Sequence, residues 1–204
     1  MFYAMAHNNA FYEDRVNVFT SLAPCTRMKF TKNPIFSKLA HFYKDMKELS
    51  SKYHVADIND KNFFERATTL CHTQKDKKSF GYWLCQFKDR TCGDVETPLR
   101  SMLHYMQSFI KKEFVEYDPN AKSYKDIDKN KKFQKVPMQN IKKGTFALFT
   151  GEHDDVCAYA DTKWVKVALE HNKKNFNDVL HIEEVKGKDH AMTDGNLAYF
   201  KKVT

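Results

Sequence analysis

The sequence of 204 residues lacks several patterns that would define its class at once. It has no apolar run of transmembrane length, and its first ten residues do not form a secretory signal, so neither feature is predicted. It contains no Asn-x-Ser/Thr glycosylation site. None of its cysteines belongs to a Cys-x-x-Cys pair and no histidine pair lies near them, so no metal site and no cofactor is expected.

The cysteines are few and odd in number: Cys25, Cys71, Cys85, Cys92 and Cys157. At least one thiol must therefore remain unpaired within the chain. A local disulfide between Cys71 and either Cys85 or Cys92 and a set of three free thiols are both compatible with the spacing.

Positive charge is in excess, with 34 Lys and Arg against 26 Asp and Glu and a formal net charge of +8. Such an excess attracts anionic partners such as lipid surfaces. The lysines are spread along the chain, however, and no arginine cluster or alternating basic and aromatic pattern occurs. Nucleic acid is therefore not expected as a partner.

Three short segments predict strands of a parallel sheet. Val16–Ala23 alternates apolar and polar residues, and Thr145–Thr150 is a short apolar and β-branched run between turn residues. Val179–Val185, with the sequence VLHIEEV, repeats that pattern before another loop. A parallel sheet is normally covered on both faces and avoids a long free edge. We therefore expect part of the sheet to lie outside this sequence.

Helices are predicted around the strands. The first ten residues have helical spacing, and Phe11–Asp14 is expected to be a turn. Further helices are predicted by amphipathic spacing at Pro34–Ser50, Lys61–Cys71, Ser79–Phe87, Thr97–Lys112, Asp161–Asn172 and about Ala191–Lys202. Asp161 is the predicted N-cap of its helix, and the charged segment Phe114–Phe133 is predicted to be an exposed loop. The expected fold class is α/β.

Polar residues follow two of the predicted strands. Glu152, His153, Asp154 and Asp155 come directly after Thr145–Thr150, and His190 comes shortly after the last strand. The carboxyl ends of parallel strands share one edge of a sheet, where catalytic groups collect. Strand, acid, helix, strand and histidine is the order of the acid and base in a hydrolase triad. On spacing alone, an ordinary βαβ unit with polar loops is the favoured interpretation, and the triad is the alternative.

Both ends of the chain resemble acid lipases of the gastric and lysosomal type, an α/β-hydrolase family. The first 33 residues, with Asn9–Phe11 and the sequence SLAP at Ser21–Pro24, look like the segment that follows the nucleophile. The segment TFALFTGEHDDVCAYADTKWV is similar to the family's G-G-x-D-x-L-A-D-x-x-D-V, so that Gly151 and Asp154 match its glycine and triad acid. KGKDHAMTDG resembles the family's histidine segment, so that His190 matches the triad histidine.

The sequence departs from the family in three ways. Asp189 replaces the usual asparagine, a second acid, Asp155, follows the first, and the nucleophile motif G-x-S-x-G is absent. The nearest string is KKSFG around Ser79, which has only one of the two glycines. By resemblance the nucleophile would precede Met1, so an N-terminal half carrying it is expected in addition to this chain.

The resemblance implies a partial α/β-hydrolase fold in three parts. Residues 1–30 would form the core helix and strand after the nucleophile, 31–135 a helical cap or lid insertion, and 136–204 the C-terminal α/β core. It also implies hydrolysis of a lipid or other carboxylic ester, with His190 as base and Asp154 as its acid partner; Asp155 is the alternative acid. The competing expectation is a catalytically dead relative that binds lipid or protein. Secretion or lysosomal location follows from the family alone.

Overall fold

The computed structural model describes residues 1–52, 78–82, 98–170, 180–190 and 192. The predicted helix Lys61–Cys71 lies outside these residues, as do Cys85 and Cys92, most of Ser79–Phe87 and, apart from Met192, the predicted helix Ala191–Lys202. The chain divides into two compact units, the first from residues 1–34, 111–116 and 132–204 and the second from 35–110 and 117–131. Both ranges of the second unit fall inside the segment 31–135, which the family resemblance implies to be an insertion.

The described residues contain three strands, seven labelled helices and one short 3₁₀ helix. In chain order these are α1 (Phe2–His7), α2 (Asn9–Glu13), β1 (Val18–Leu22), α3 (Pro34–His41), α4 (Tyr43–Lys52), α5 (Leu99–Lys111), α6 (Tyr124–Lys129), the 3₁₀ helix Met138–Asn140, β2 (Thr145–Gly151), α7 (Tyr159–Glu170) and β3 (Leu180–Val185).

The strands form one parallel sheet in the order β1-β2-β3. Val18 of β1 pairs with Thr145 of β2, and Phe146 of β2 pairs with Leu180 of β3. Every residue of β2 after Thr145 is buried, as a central strand requires, whereas β1 alternates between exposed and half-buried residues. Helices together with a three-stranded parallel sheet confirm the predicted α/β class. The polar loops follow the strands of this sheet.

The core of the first unit lies mainly on one face of the sheet. Residues of α1, α7, β2 and the segment before β2 form one buried cluster: Phe2, Met5, Ala6, Val136, Met138, Ile141, Phe146, Leu148, Val165 and Leu169. The rings of Phe2 and Phe146 stack with centroids 5.9 Å apart. Alternate residues of β2 point to the opposite face, where Ala147 and Phe149 join a smaller cluster.

The second unit has a helical core of its own. Its buried apolar residues include Leu39 and Met46 with Leu103 and Met106 of α5. Gln107, also fully buried, donates from its side-chain amide to the Tyr43 hydroxyl at 2.8 Å and has further bonds to the backbone of residue 118. A buried polar side chain is tolerated here because its hydrogen bonds are satisfied.

Several local predictions were wrong. Residues predicted to form a turn at Phe11–Asp14 mostly belong to α2, and the predicted loop Phe114–Phe133 contains α6, whose first turn is capped by the Ser123 hydroxyl. Asp161 is not an N-cap, because α7 begins at Tyr159 and Asp161 is buried in its first turn. The helix predicted at Pro34–Ser50 is divided into α3 and α4.

None of the helices in the described ranges combines the length and the apolar character needed to cross a bilayer.

Candidate acid–base site

The two loops that follow β2 and β3 are joined along their backbones. The amide of Glu152 donates to the Val185 carbonyl at 2.9 Å, and the amide of His153 donates to the Lys188 carbonyl at 2.8 Å. The Glu152 carboxylate in turn accepts from the amide of Gly187 at 2.9 Å. These three bonds fix the loop that carries Asp154 against the loop that leads to His190.

Gly151, the last residue of β2, allows the two loops to come this close. A Cβ built on Gly151 would lie 2.4 Å from the carbonyl oxygen of Lys188 and 2.5 Å from that of Asp189. Both atoms belong to the backbone, so a larger residue could be accommodated only by moving the loop. Glycine is therefore required here by close backbone approach.

Asp154 is the buried anchor of the site. Its side chain is fully inaccessible to solvent. One carboxylate oxygen, Oδ1, accepts from the amides of Val156 at 2.9 Å and Cys157 at 2.8 Å. These two bonds form a tight turn in which an aspartate bonds to the backbone just ahead of it, and they leave Oδ2 free to face the second loop.

His190 completes the site through the other carboxylate oxygen. Its Nδ1 lies 3.0 Å from Oδ2 of Asp154. Because a carboxylate can only accept, Nδ1 is the donor, and in the neutral imidazole Nε2 is left as an acceptor. The His190 side chain is 45% exposed, in contrast to its partner. The pair thus combines a buried, fixed carboxylate with an accessible imidazole, which is the arrangement of an oriented general base.

The environment raises the pKa of His190 above its ordinary value. The hydrogen bond to Asp154 is the largest cause, and the negative charges of Asp154, Asp155 and Asp189 act in the same direction. Partial burial opposes the shift, because it disfavours the charged imidazolium. Attraction from the carboxylates prevails, so the imidazole is a stronger base than a free histidine.

The remaining candidate residues have other hydrogen-bond partners or surroundings. Asp155, the alternative acid, is exposed and accepts from the Asn33 side chain at 3.1 and 3.2 Å. His153 is exposed on the same loop. Ser79 accepts from the amide of Tyr82 at 3.1 Å, at the start of the helical turn 80–82. The carboxylate that contacts His190 is therefore Asp154.

Two features of this region were missed from the sequence. Cys25 and Cys157 form a disulfide with their Cα atoms 4.9 Å apart, although 132 positions separate them in the chain. Asp161 accepts from Nε of Arg27 at 3.1 Å and from the amide of Phe30 at 2.9 Å. No local spacing signals either contact, because both join the segment after β1 to the segment after β2.

Comparison with known proteins assigns no family: no family model matches the sequence, and no curated protein sequence matches it.

Proposed function

We propose that this chain carries the acid and the base of an ester hydrolase, with lipid or other carboxylic esters as substrates. The observation that supports the proposal most directly is the 3.0 Å contact between Nδ1 of His190 and the buried Oδ2 of Asp154. The order strand, acid, helix, strand, histidine and the resemblance to acid lipases support it as well. The serine nucleophile would come from residues outside these 204, since the sequence has no G-x-S-x-G motif.

In this proposal His190 acts through Nε2, the ring nitrogen that Asp154 leaves available. Nε2 accepts the proton of the serine hydroxyl as the serine oxygen attacks the ester carbonyl, and then returns that proton to the departing alcohol. Asp154 keeps the other proton on Nδ1 and stabilises the imidazolium that forms in between. Its two hydrogen bonds from the backbone amides of residues 156 and 157 restrict the movement of the carboxylate.

The exposed edge of the sheet supports a nucleophile supplied from outside. Val18 and Leu22 of β1 are 52% and 45% exposed, which is unusual for apolar residues of a parallel strand. An additional strand would pair with the free backbone edge of β1, and the helix connected to it could cover these side chains. In an α/β-hydrolase the nucleophile stands on a turn between such a strand and its helix. By the same resemblance, the second unit corresponds to the family's lid insertion.

The test begins with the coding sequence upstream of Met1 and with hydrolysis of a long-chain 4-methylumbelliferyl ester by the full product. We expect an in-frame G-x-S-x-G, and we expect Asp154→Asn to lower kcat about ten-thousand-fold, since this change favours the wrong histidine tautomer. His190→Ala should be at least as severe. Asp155→Asn is the matched control and should stay within a few-fold of wild type. Wild-type rates in Asp154→Asn or His190→Ala would refute the proposal.

The alternative is a binding module for lipid or protein that has lost catalysis. The exposed Val18 and Leu22, together with the net charge of +8, favour a docking surface of this kind. A stop codon directly upstream, combined with binding to anionic vesicles that Val18→Ser and Leu22→Ser weaken, would favour the module. Labelling of the full product by a fluorophosphonate, which modifies activated serines, would favour the hydrolase.

A further inference from the structure

The Cys25–Cys157 disulfide lies directly beside His190. The sulfur atoms of both cysteines and a ring nitrogen of His190 all lie within 4.8 Å of one another. Cys157 is buried, Cys25 is half-buried and His190 is exposed. Two thiols and one imidazole are a ligand set that zinc prefers, and it is incomplete by one ligand, which leaves a position for water.

From this cluster we propose that the reduced protein binds one Zn²⁺ through Cys25, Cys157 and His190, and that the disulfide is the metal-free, oxidised form of the same site. The site would be a three-ligand zinc centre with a solvent position. It requires no nucleophile and so does not rest on the proposed hydrolase function, although it shares His190 and Asp154 with it.

The distances are within reach of zinc coordination. Tetrahedral geometry with zinc–sulfur bonds of about 2.3 Å places two cysteine sulfurs about 3.8 Å apart, and a sulfur and an imidazole nitrogen about 3.6 Å apart. Once the disulfide is broken, the two sulfurs must separate. The ring nitrogen, which lies within 4.8 Å of both sulfurs, must approach them by about 1.2 Å at most (4.8 minus about 3.6). The exposed side of His190 gives the ring room for this movement.

Asp154 already provides the support that a zinc-binding histidine usually has. Metal-bound histidines commonly donate their second ring N–H to a carboxylate, which fixes the tautomer and the ring orientation. Here Nδ1 of His190 donates to Oδ2 of Asp154, which leaves Nε2 as the ring nitrogen available to a metal. The other carboxylate oxygen accepts from the amide of Cys157, so that one buried carboxylate orients two of the three ligands.

The local charge also favours a cation. Asp155 and Asp189 add negative potential at His190 beyond that of Asp154. Two thiolates neutralise the charge of Zn²⁺, and the flanking carboxylates oppose its release. A cation is therefore better accommodated here than an anion or a neutral ligand.

Either a dithiol or a phosphine can reduce this disulfide; a phosphine consumes one water, which supplies the two thiol protons, and becomes a phosphine oxide. A dithiol delivers two electrons and two protons to the Cys25–Cys157 bond; the bond breaks, two thiols form, and the reductant becomes a disulfide. Zn²⁺ then displaces the two thiol protons and forms two zinc–sulfur bonds and one bond to Nε2 of His190. Because Nε2 is then occupied, the metal would also withdraw His190 from any role as a base.

The first experiment measures zinc binding by the 204-residue chain after reduction with a phosphine and removal of the reductant without oxygen. All proteins in this experiment, including the variants below, also carry Cys71→Ser, Cys85→Ser and Cys92→Ser. Cys25 and Cys157 then supply the only thiols of the sequence. Competition with a chromophoric chelator should give one Zn²⁺ per reduced chain and none per oxidised chain. His190→Gln should weaken binding by on the order of a hundred-fold, and Asp154→Asn by about ten-fold.

His181→Gln is the matched control, since His181 is an exposed histidine of β3 that contacts Glu183. It should leave the affinity unchanged. Equal zinc affinity in the His190→Gln and His181→Gln variants, or less than one zinc per reduced chain with the three Cys→Ser changes alone, would overturn the proposal. The first result would mean that the two thiols bind metal adventitiously.

A second measurement tests the proposal even if the variant with the three Cys→Ser changes does not fold. Co²⁺ added to the reduced wild-type chain gives thiolate-to-metal charge-transfer bands and visible bands whose energies report tetrahedral coordination by sulfur and nitrogen. We expect these bands to shift in His190→Gln and to remain the same in His181→Gln. Identical spectra in all three proteins would remove His190 from the site and refute the proposal.

Discussion

Gly151 and Asp189 approach so closely that a Cβ on the glycine would lie 2.5 Å from the carbonyl oxygen of Asp189. This contact joins the end of β2 to the residue that precedes His190. The position of the imidazole is therefore set by a glycine 39 residues earlier in the chain (190 minus 151).

Gly151→Ala should displace the His190 loop. Because both close contacts are to backbone atoms, the added methyl cannot be relieved by a side-chain rotation, and we expect a loss of about 1–3 kcal/mol in the free energy of unfolding. NMR titration should also show the pKa of His190 moving back towards its ordinary value as the Asp154 contact lengthens.

Gly187→Ala is the control for this prediction. No atom lies within 4 Å of a Cβ built on Gly187, but its φ of +67° makes alanine strained by about 1 kcal/mol. It should leave the His190 titration unchanged; the same shift in both variants would contradict the prediction.

The ionisation of His190 should depend on Asp154. Asp154→Asn removes the largest cause of the raised pKa, so the histidine should titrate at lower pH than in the wild type. ¹H–¹⁵N NMR of the imidazole measures the shift directly, with Asp155→Asn as the control expected to have a smaller effect. A pKa unchanged in Asp154→Asn would show that the contact does not hold in solution.

The same shift makes stability depend on pH in a definite direction. A histidine whose pKa is raised by folding binds its proton more tightly in the folded state, so it stabilises the fold at pH below the unfolded value of about 6.5. That stabilisation is lost as the pH rises through the folded pKa. Urea unfolding should therefore show that the free energy of unfolding of wild type exceeds that of His190→Gln by more near about pH 6 than near about pH 9. A difference between the two proteins that grows with pH would contradict this prediction.

The Arg27–Asp161 ion pair should contribute strongly to stability. Both side chains are largely buried, and Arg27 also lies over the Trp164 ring, 5.1 Å from its centroid. Asp161→Asn leaves the guanidinium buried without its counter-charge, which should cost about 3–5 kcal/mol. The exposed pair of Lys166 and Glu170 is the control, and Lys166→Ala should cost less than about 0.5 kcal/mol. Chemical denaturation compares the two; equal small losses would show that Arg27 reaches water in the variant.

The buried hydroxyls of Thr150 and Thr162 should be energetically coupled. Their oxygens are 2.6 Å apart and both residues are inaccessible to solvent. Thr162→Val leaves the Thr150 hydroxyl buried without this partner, which should cost about 1–3 kcal/mol, whereas the double change Thr150→Val with Thr162→Val should cost less than the sum of the single changes. A double-mutant cycle from denaturation curves gives the coupling. Strict additivity would contradict it.

The sequence predicts the sheet well, because each strand carries its own signal. Thr145–Thr150 is a short apolar run between turn residues, and the structure extends it by only Gly151. The strand at Val16–Ala23 is shortened at both ends to Val18–Leu22, as is usual at strand boundaries. Asp154 and His190 are brought together because the ends of neighbouring parallel strands share one edge, a relation that topology determines.

What the sequence does not predict are contacts made between distant segments. The local pattern around Asp161 is that of a helix N-cap. In the structure Asp161 lies in the first turn of α7, and its carboxylate accepts hydrogen bonds from Arg27 and from the amide of Phe30. Cys25 and Cys157 have no spacing that links them, and cysteine pairing depends on which loops the sheet places side by side. Such contacts follow from the assembled fold and have no local signature.

The Cys25–Cys157 disulfide has a practical consequence for how the oxidised protein responds to proteolysis. The bond encloses more than half of the chain, since 132 positions separate the two cysteines. A single backbone cut anywhere inside that ring produces two polypeptides but releases neither of them. On a gel without reductant the nicked protein would migrate as one species, and only added thiol would separate it into its two pieces.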